Sequence, residues 1–265
     1  MRVIIRKKVN CCGQLAMDFV KHWYYRLTSK YGKWNYKQIP IVINNFNRLS
    51  CLKRLIKSLE IRGYSNVIIL DNASSYPPLL DWYKNECKER VVFLDKNLGH
   101  KALWSCDLIK EIGGDYFVYT DPDLELIEDC PEDFLYQMLC KLKKKVKGQK
   151  VGLSLKIDDI PDCYKFRDDV IKNESRFYER MEDGMYLADL DTTFAIHEPY
   201  AEGGFVDDMI TYRMPYPIQC RHLPWYEDSD KPSEEDLYYA SQKLKDIGWW
   251  SSRIELLSDK DNNSL

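Results

Sequence analysis

The sequence predicts an α/β protein whose mostly parallel central sheet is flanked by helices and preceded by an amphipathic N-terminal helix. Between residues 39 and 120, short apolar runs alternate with helical stretches of about ten residues. Strands that alternate with helices form parallel βαβ units with right-handed crossovers. A length of 265 residues is ample for a buried core. No stretch approaches 18 consecutive apolar residues, so no membrane-spanning helix is predicted.

The elements follow one another along the chain. Strands are predicted at 39–44 (IPIVIN), 67–70 (VIIL), 91–94 (VVFL), 116–119 (YFVY), 151–157 (VGLSLKI) and around 192–196. Helices are predicted at 51–61 with Ser50 as cap, from Pro77 to about 88, at 101–112, and after Pro131 into the lysine run 141–147. Periodicity weakens in 158–180, which stays ambiguous. We place a leader at 1–38, the main domain at 39–258 and a polar, frayed tail at 259–265.

The leader carries an apolar stripe at helical spacing. Its members are Ala16, Phe19, Val20, Trp23, Tyr24 and Leu27. Tryptophan and tyrosine beside lysine and arginine are typical of a helix that lies in a membrane interface. The same stripe would also suit a helix docked on the protein's own core, and periodicity does not separate the two.

Charge is distributed unevenly along the chain. Residues 1–38 contain nine Lys or Arg and one acid, for a charge of +8, and the remainder carries −11 within a total of −3. A basic leader suits an anionic membrane surface, whereas the acidic body argues against nucleic-acid binding. The nine cysteines form no CxxC pair, which favours reduced thiols in the cytoplasm and no zinc site.

Polar residues follow each of the first four predicted strands. They are the segments 44–48 (NNFNR), 71–74 (DNAS), 95–100 (DKNLGH) and 121–123 (DPD). In open parallel sheets, ligands bind beyond the carboxyl ends of the strands. Four polar strand ends at one edge therefore predict a pocket for a polar ligand.

The acidic pair Asp121 and Asp123 follows the fourth strand and is separated by a proline. Two carboxylates at this spacing can face one point, and a hard cation such as Mn²⁺ or Mg²⁺ prefers oxygen ligands while leaving positions for substrate phosphates. Such an ion would neutralise a diphosphate leaving group. The alternative interpretation is an ordinary turn in which an aspartate caps the next element.

Six segments together resemble the GT-A glycosyltransferases, close to the large inverting family 2. They are IPIVINNFNR (39–48), NVIILDNAS (66–74), NLGHK (97–101), YFVYTDPDLEL (116–126), DLDTTFAIH (189–197) and CRHLPWYED (220–228). The last two look like a subgroup that acts in the assembly of bacterial surface polysaccharides. The resemblance implies a GT-A fold and a nucleotide-sugar donor, most often a UDP-sugar.

The resemblance also implies roles for individual residues. Donor-binding residues would be Asn45, Arg48 and Asp71 at the base and ribose, and Asn97, Gly99, Lys101 and Asp121 toward the ribose and diphosphate. Asp121, Asp123 and His222 would hold the metal. Trp225 and Tyr226 would offer ring faces to the acceptor. The alternative for His222 is a buried histidine hydrogen-bonded within a loop.

An inverting transferase needs a general base that deprotonates the acceptor hydroxyl. The candidates are Asp189, Asp191 and the pair 207–208. Asp191 is the first choice, because the resemblance places the DTTFA segment near the acceptor.

The sequence thus predicts a metal-dependent glycosyltransferase, a hexosyl- or N-acetylhexosaminyl-transferase, that uses Mn²⁺ or Mg²⁺ and a glycan or lipid-linked acceptor. It would be cytoplasmic, with peripheral attachment to the inner membrane face. Two alternatives stay open: a sugar nucleotidyltransferase, disfavoured because residues 44–48 lack a glycine, and a non-catalytic glycan-binding protein on the same fold.

Overall fold

The computed structural model describes residues 19–145, 148–191, 193–201 and 210–242. Its main sheet has nine strands in the order β3-β2-β1-β4-β10-β6-β11-β9-β8. These strands are β1 (Ile41–Asn45), β2 (Val67–Asp71), β3 (Arg90–Phe93), β4 (Phe117–Thr120), β6 (Gly148–Gly152), β8 (Met181–Glu182), β9 (Met185–Leu187), β10 (Ala195–His197) and β11 (Ile210–Arg213). A second sheet, in the order β5-β12-β7, contains β5 (Leu124–Leu126), β7 (Ser154–Leu155) and β12 (Gln219–His222).

Seven helices accompany the sheets in the described part of the chain. They are α1 (19–28), α2 (Ser50–Glu60), α3 (Pro77–Asn85), α4 (Leu108–Ile112), α5 (Phe134–Leu142), α6 (Arg167–Ser175) and α7 (Glu234–Gln242). Short 3₁₀ helices cover Tyr36–Gln38, Gly99–Ser105, Arg176–Tyr178 and Leu223–Tyr226.

The main sheet is mostly parallel, as predicted. Strands β3, β2, β1 and β4 pair in parallel. β10 runs against both β4 and β6, and β9 runs against both β11 and β8. All other strands therefore point the same way, and the carboxyl ends of β1, β2 and β4 share one edge. The α/β architecture expected from the resemblance, with a large sheet flanked by helices, is confirmed.

Both faces of β1, β2 and β4 are buried, which explains why these strands are continuous apolar runs. Successive residues of β1 point to opposite faces: Ile41 and Ile43 belong to the larger core cluster, and Val42 belongs to the smaller one. α2 and α5 pack in the larger cluster, and the Gly99–Ser105 turn packs in the smaller one.

The strand predicted at 151–157 is split between the two sheets. A side chain at Gly152 would meet a Leu190 methyl carbon at 2.4 Å and the Phe194 carbonyl oxygen at 2.9 Å, so the backbones approach closely there. The chain then leaves the main sheet, and Ser154 pairs with Gln219 of β12.

Two helix predictions are also corrected. The helix predicted at 101–112 is a 3₁₀ turn followed by α4, because Cys106 between them is extended and the Trp104 ring nitrogen donates to the Ala201 carbonyl oxygen at 2.8 Å. Ser50 is the first residue of α2 and does not cap it with its side chain. Instead, the Ser50 backbone N–H and hydroxyl donate to the Glu235 carboxylate of α7, a favourable place for a negative charge.

The apolar stripe of the leader faces solvent in its described part. Phe19, Val20, Trp23, Tyr24 and Leu27 are 40–78% exposed, so packing of this stripe on the protein's own core is wrong for these residues; Ala16 lies outside the described residues. His22 points inward on the opposite side and is buried. Within the described ranges, no helix is both long and apolar enough to cross a membrane.

Candidate functional site

The carboxyl ends of β1 and β2 hold a loop that follows β3. The side-chain amides of Asn44 and Asn72 both donate to the Gly99 carbonyl oxygen, at 3.3 and 3.0 Å. Asn72 also accepts from the Leu98 N–H at 2.7 Å, and Asn97 accepts from the Gly99 N–H at 2.8 Å. Gly99 has φ of +70°, a conformation that favours glycine. The strand ends and this loop therefore form one hydrogen-bonded unit.

A second chain of hydrogen bonds joins the ends of β1 and β2. The Asn45 amide donates to the Tyr83 hydroxyl at 2.8 Å, and that hydroxyl donates to Asp71 at 3.0 Å. Asp71 also accepts from the Ser74 N–H at 2.8 Å. Burial raises the pKa of Asp71, and the hydrogen bonds from Ser74 and Tyr83 oppose this shift. The carboxylate is therefore fixed in orientation.

Several buried polar atoms near these strand ends and at the end of β12 lack a hydrogen-bond partner among the described residues. They are Asn44 Oδ1, Asn45 Oδ1, Asn47 Nδ2 and His222 Nδ1. Buried polar side-chain atoms are paired in the large majority of cases, because an unmade hydrogen bond costs free energy. Such atoms, collected at the edge where α/β sheets bind ligands, are consistent with a polar ligand site.

The small sheet brings His222 to the acidic pair. β5 begins directly after Asp123, and its antiparallel pairing with β12 sets His222 opposite Leu124. His222 Nε2 consequently lies 3.3 Å from Asp123 Oδ2, and the Leu223 N–H donates to the Asp123 carbonyl oxygen at 2.8 Å. Burial favours the neutral acid, but the neighbouring His222 and Arg48 outweigh it and lower the pKa of Asp123.

The donor atoms at Asp123 and His222 fit a divalent cation. Neighbouring ligands of an octahedral ion at 2.0–2.1 Å lie about 3 Å apart, close to the observed 3.3 Å. Carboxylate oxygen suits Mn²⁺ and Mg²⁺, and neutral imidazole nitrogen is a common metal ligand. Asp121 is half-buried two residues away. No group of three or more His, Cys, Asp or Glu in the described ranges is arranged to hold a metal, so a substrate would have to complete the coordination.

Arg48 is buried, and its guanidinium forms an ion pair with Asp236 of α7. The same guanidinium lies 4.1 Å from the centre of the Tyr239 ring. Tyr238 donates from its hydroxyl to the Ser75 carbonyl oxygen at 3.0 Å. α7 thus covers the loops that follow β1 and β2, and Arg48 is held by α7.

Glu227 follows the 3₁₀ helix that begins after His222. Burial raises the pKa of Glu227 to about 7, and the nearby Asp236 adds to the shift while Arg48 opposes it. A carboxyl group in this range can take up or release a proton near neutral pH.

The aromatic pair does not present two free faces. Trp225 is 2% exposed, and its ring centre lies 4.7 Å from that of His222. The interpretation of Trp225 as an acceptor platform is therefore wrong in this conformation: the ring packs in the core and supports the histidine. Tyr226 is half-buried, and its hydroxyl donates to the Asp159 carboxylate.

Asp189 and Asp191, two of the acids predicted as the base, lie in the segment that precedes β10. Asp191 is exposed, and its backbone carbonyl accepts from the Lys150 ammonium at 3.0 Å. The Asp189 carbonyl accepts from Arg213 at 2.9 Å. Residues 207–208 lie outside the described residues. Lys101 is exposed beside the Gly99 loop.

Sequence reasoning missed four residues that the structure places at this edge: Asn72, Tyr83, Glu227 and Asp236. Asn72 stands within the quoted DNAS segment and could have been found as a second amide after β2. Tyr83 lies in α3 and Asp236 lies in α7, and the sequence does not show where these helices pack. The raised pKa of Glu227 depends in part on Asp236 and so could not be predicted either.

No protein-family model matches the chain, and no curated protein matches it either. Several solved structures do match this chain. They include glucosyl-3-phosphoglycerate synthase from Mycobacterium tuberculosis with phosphoglyceric acid (18% identity, TM-score 0.37, 60% of this chain and 56% of that one). The structure of the same enzyme with Mn²⁺, UDP-glucose and phosphoglyceric acid matches with 17% identity and a TM-score of 0.37, over 60% of this chain and 56% of that one. S. aureus TarS 1–349 matches with 14% identity and a TM-score of 0.38, over 61% of this chain and 47% of that one. The chain thus spans about half the length of these structures.

Proposed function

We propose that this chain is a metal-dependent glycosyltransferase that moves a sugar from a nucleotide diphosphate, most simply UDP, to a hydroxyl of a glycan or lipid-linked acceptor. The observation that carries the proposal is the Asp123–His222 pair at the carboxyl edge of the sheet. The sequence resemblance to GT-A enzymes supports the same assignment.

The ends of β1 and β2 would bind one part of the donor, and the Asp123–His222 pair would bind the other part. Asn45, Asp71 and Asn72 would bind the base and ribose, with the Gly99 loop supplying backbone close to the ribose and diphosphate. Asp123 and His222 would hold Mn²⁺ or Mg²⁺, with Asp121 on the side of the diphosphate and the donor completing the coordination; the ion, when bound, neutralises charge on the leaving diphosphate. Asp123, whose lowered pKa keeps it ionised, suits that role.

Transfer with inversion is one displacement. The acceptor oxygen bonds to the anomeric carbon, the bond from that carbon to the diphosphate oxygen breaks, and the acceptor proton passes to a base. Asp191 is the base that the sequence resemblance implies.

The activity is tested by mixing UDP-sugars with the chain and Mn²⁺ and following UDP release. We expect UDP release from one donor to require the metal and to fall at least about a hundredfold in Asp123→Ala, the size of effect expected for a group that stabilises developing charge. Asp158→Ala, at an exposed acid paired with Lys156, is the matched control and should retain activity. Full activity in Asp123→Ala would reject the metal role. Release of pyrophosphate from UTP and a sugar phosphate would instead support a nucleotidyltransferase.

We further propose that the product belongs to a surface polysaccharide and that the protein acts at the cytoplasmic membrane face. The support for both is the sequence resemblance of 189–197 and 220–228 and the basic leader. To test the assignment to a surface polysaccharide, a radiolabelled UDP-sugar would be incubated with membranes from a cell that produces this chain. Absence of label in the polysaccharide fraction would reject the assignment.

A further inference from the structure

α1 and the turn after it carry six large exposed apolar side chains, which we call the leader face. Its members and their exposures are Phe19 (52%), Val20 (66%), Trp23 (40%), Tyr24 (60%), Leu27 (78%) and Trp34 (91%). They are six of the thirteen large apolar side chains exposed in the described ranges. Single exposed apolar residues are ordinary, but such a concentration marks an interaction surface.

The charges around the leader face have one sign. Residues 19–38 contain five Lys or Arg and no acid. The Arg26 guanidinium lies 4.9 Å from the centre of the Trp23 ring, and the Lys33 ammonium lies 5.4 Å from that of Trp34. Cations therefore stand beside the two tryptophans that would enter an interface.

The opposite side of α1 is fixed to the domain. His22 is 4% exposed and its Nδ1 lies 3.7 Å from Glu198 Oε1. The rings of Tyr25 and Tyr200 are 5.7 Å apart. Just after the helix, the Lys30 N–H donates to Asp115 at 3.0 Å and Tyr31 belongs to the core. These contacts hold α1 with the leader face outward.

We infer that the leader face docks on the surface of an anionic lipid bilayer. Aromatic and aliphatic side chains beside lysine and arginine on one face of a helix are the features of a helix that lies in the interface plane. A second copy fits poorly, because two faces rich in basic residues and free of acids would meet with like charges. The inference does not depend on the proposed transferase activity.

Docking would leave the candidate site open. Asp115, which accepts from Lys30 just after α1, precedes β4. Glu198, which lies near His22 of α1, follows β10, and β10 runs against β4. Both contacts therefore lie at the amino edge of the sheet. Asp123 and His222 lie beyond its carboxyl edge. A membrane-bound chain should therefore bind nucleotide as well as a free one.

The experiment is co-sedimentation of the full chain with vesicles of phosphatidylcholine, with and without phosphatidylserine. We expect binding that requires phosphatidylserine and weakens with salt. Leu27→Ala/Trp34→Ala should lower the partition coefficient at least about tenfold, through loss of buried apolar area. Lys21→Gln should lower it about fivefold. Ile61→Ala/Met181→Ala, at two exposed apolar side chains outside the leader face, is the matched control and should bind like the parent.

Three results would overturn the inference. The first is no sedimentation with anionic vesicles, and the second is equal sedimentation with neutral ones. The third is a parent-like partition coefficient in Leu27→Ala/Trp34→Ala. If the chain ignores vesicles but forms a dimer that this double variant makes monomeric, the leader face is a self-association surface and the lipid assignment is wrong. Because both substituted residues are exposed, unchanged thermal unfolding would exclude misfolding as the cause.

Discussion

His222 Nε2 lies 3.3 Å from Asp123 Oδ2, on the two neighbouring strands β12 and β5 of the small sheet. The contact is set by backbone pairing, because His222 lies opposite the residue that follows Asp123. Trp225 packs against the histidine ring and limits its orientation. The site therefore has a preorganised pair of donor atoms before any ligand binds, as a metal-dependent site requires.

Asp236→Asn should destabilise the fold. It would leave the Arg48 guanidinium, whose side chain is 8% exposed, without its carboxylate. Removal of one partner from a buried ion pair costs about 3–5 kcal/mol. Urea unfolding measures this loss. Asp158→Asn, at a pair in which the aspartate is 76% exposed, should cost less than about 1 kcal/mol. Equal, small losses in both variants would show that α7 does not hold Arg48 as described.

Glu227→Gln should change how stability depends on pH. The raised pKa, about 7 against an ordinary 4.5, means that the folded chain keeps a proton which the unfolded chain loses. The parent's free energy of unfolding should therefore fall as the pH rises from about 4.5 to about 7, and the variant should lack this decrease. Thermal unfolding across this range measures it. Glu86→Gln, at an exposed acid, is the control. Parallel pH profiles for parent and Glu227→Gln would contradict the assigned pKa.

Gly99→Ala should weaken both the loop and the binding of UDP. A side chain at φ of +70° costs roughly 1–2 kcal/mol, and the carbonyl held by Asn44 and Asn72 would shift. Chemical denaturation and UDP titration measure the two effects. Gly32→Ala is the matched control, since a Cβ there meets nothing within 4 Å. Parent-like stability and UDP affinity in Gly99→Ala would show that the loop is not held as described.

The sequence predicted the four strands β1 to β4 and their polar ends, for a physical reason. A strand buried on both faces must be a continuous apolar run, so its last residue is visible, and Asn45, Asp71 and Asp121 could be placed at one edge. The helix at 101–112 could not be predicted correctly, because its first turns are fixed by two hydrogen bonds with distant segments: Gly99 accepts from Asn72, and Trp104 donates to Ala201.

The part of the site beyond the parallel strands could not be predicted, because the segments that form it show no hydrophobic periodicity in the sequence. β5 and β12 have only three and four residues, too few to show alternation. His222 was found through a motif, and its partner Asp123 through the acidic pair, but their contact was not derivable. Trp225 looked like a binding platform because a sequence does not distinguish a buried indole from an exposed one.

The central claim is that Asp123 and His222 join a divalent cation to a nucleotide diphosphate. The most direct test is calorimetric titration of UDP into the chain with and without Mn²⁺. We predict that Mn²⁺ tightens UDP binding at least about tenfold in the parent, about 1.4 kcal/mol, and that this gain disappears in Asp123→Asn while metal-free binding is unchanged. A UDP affinity that is the same with and without Mn²⁺, or a gain that survives in Asp123→Asn, would contradict the account.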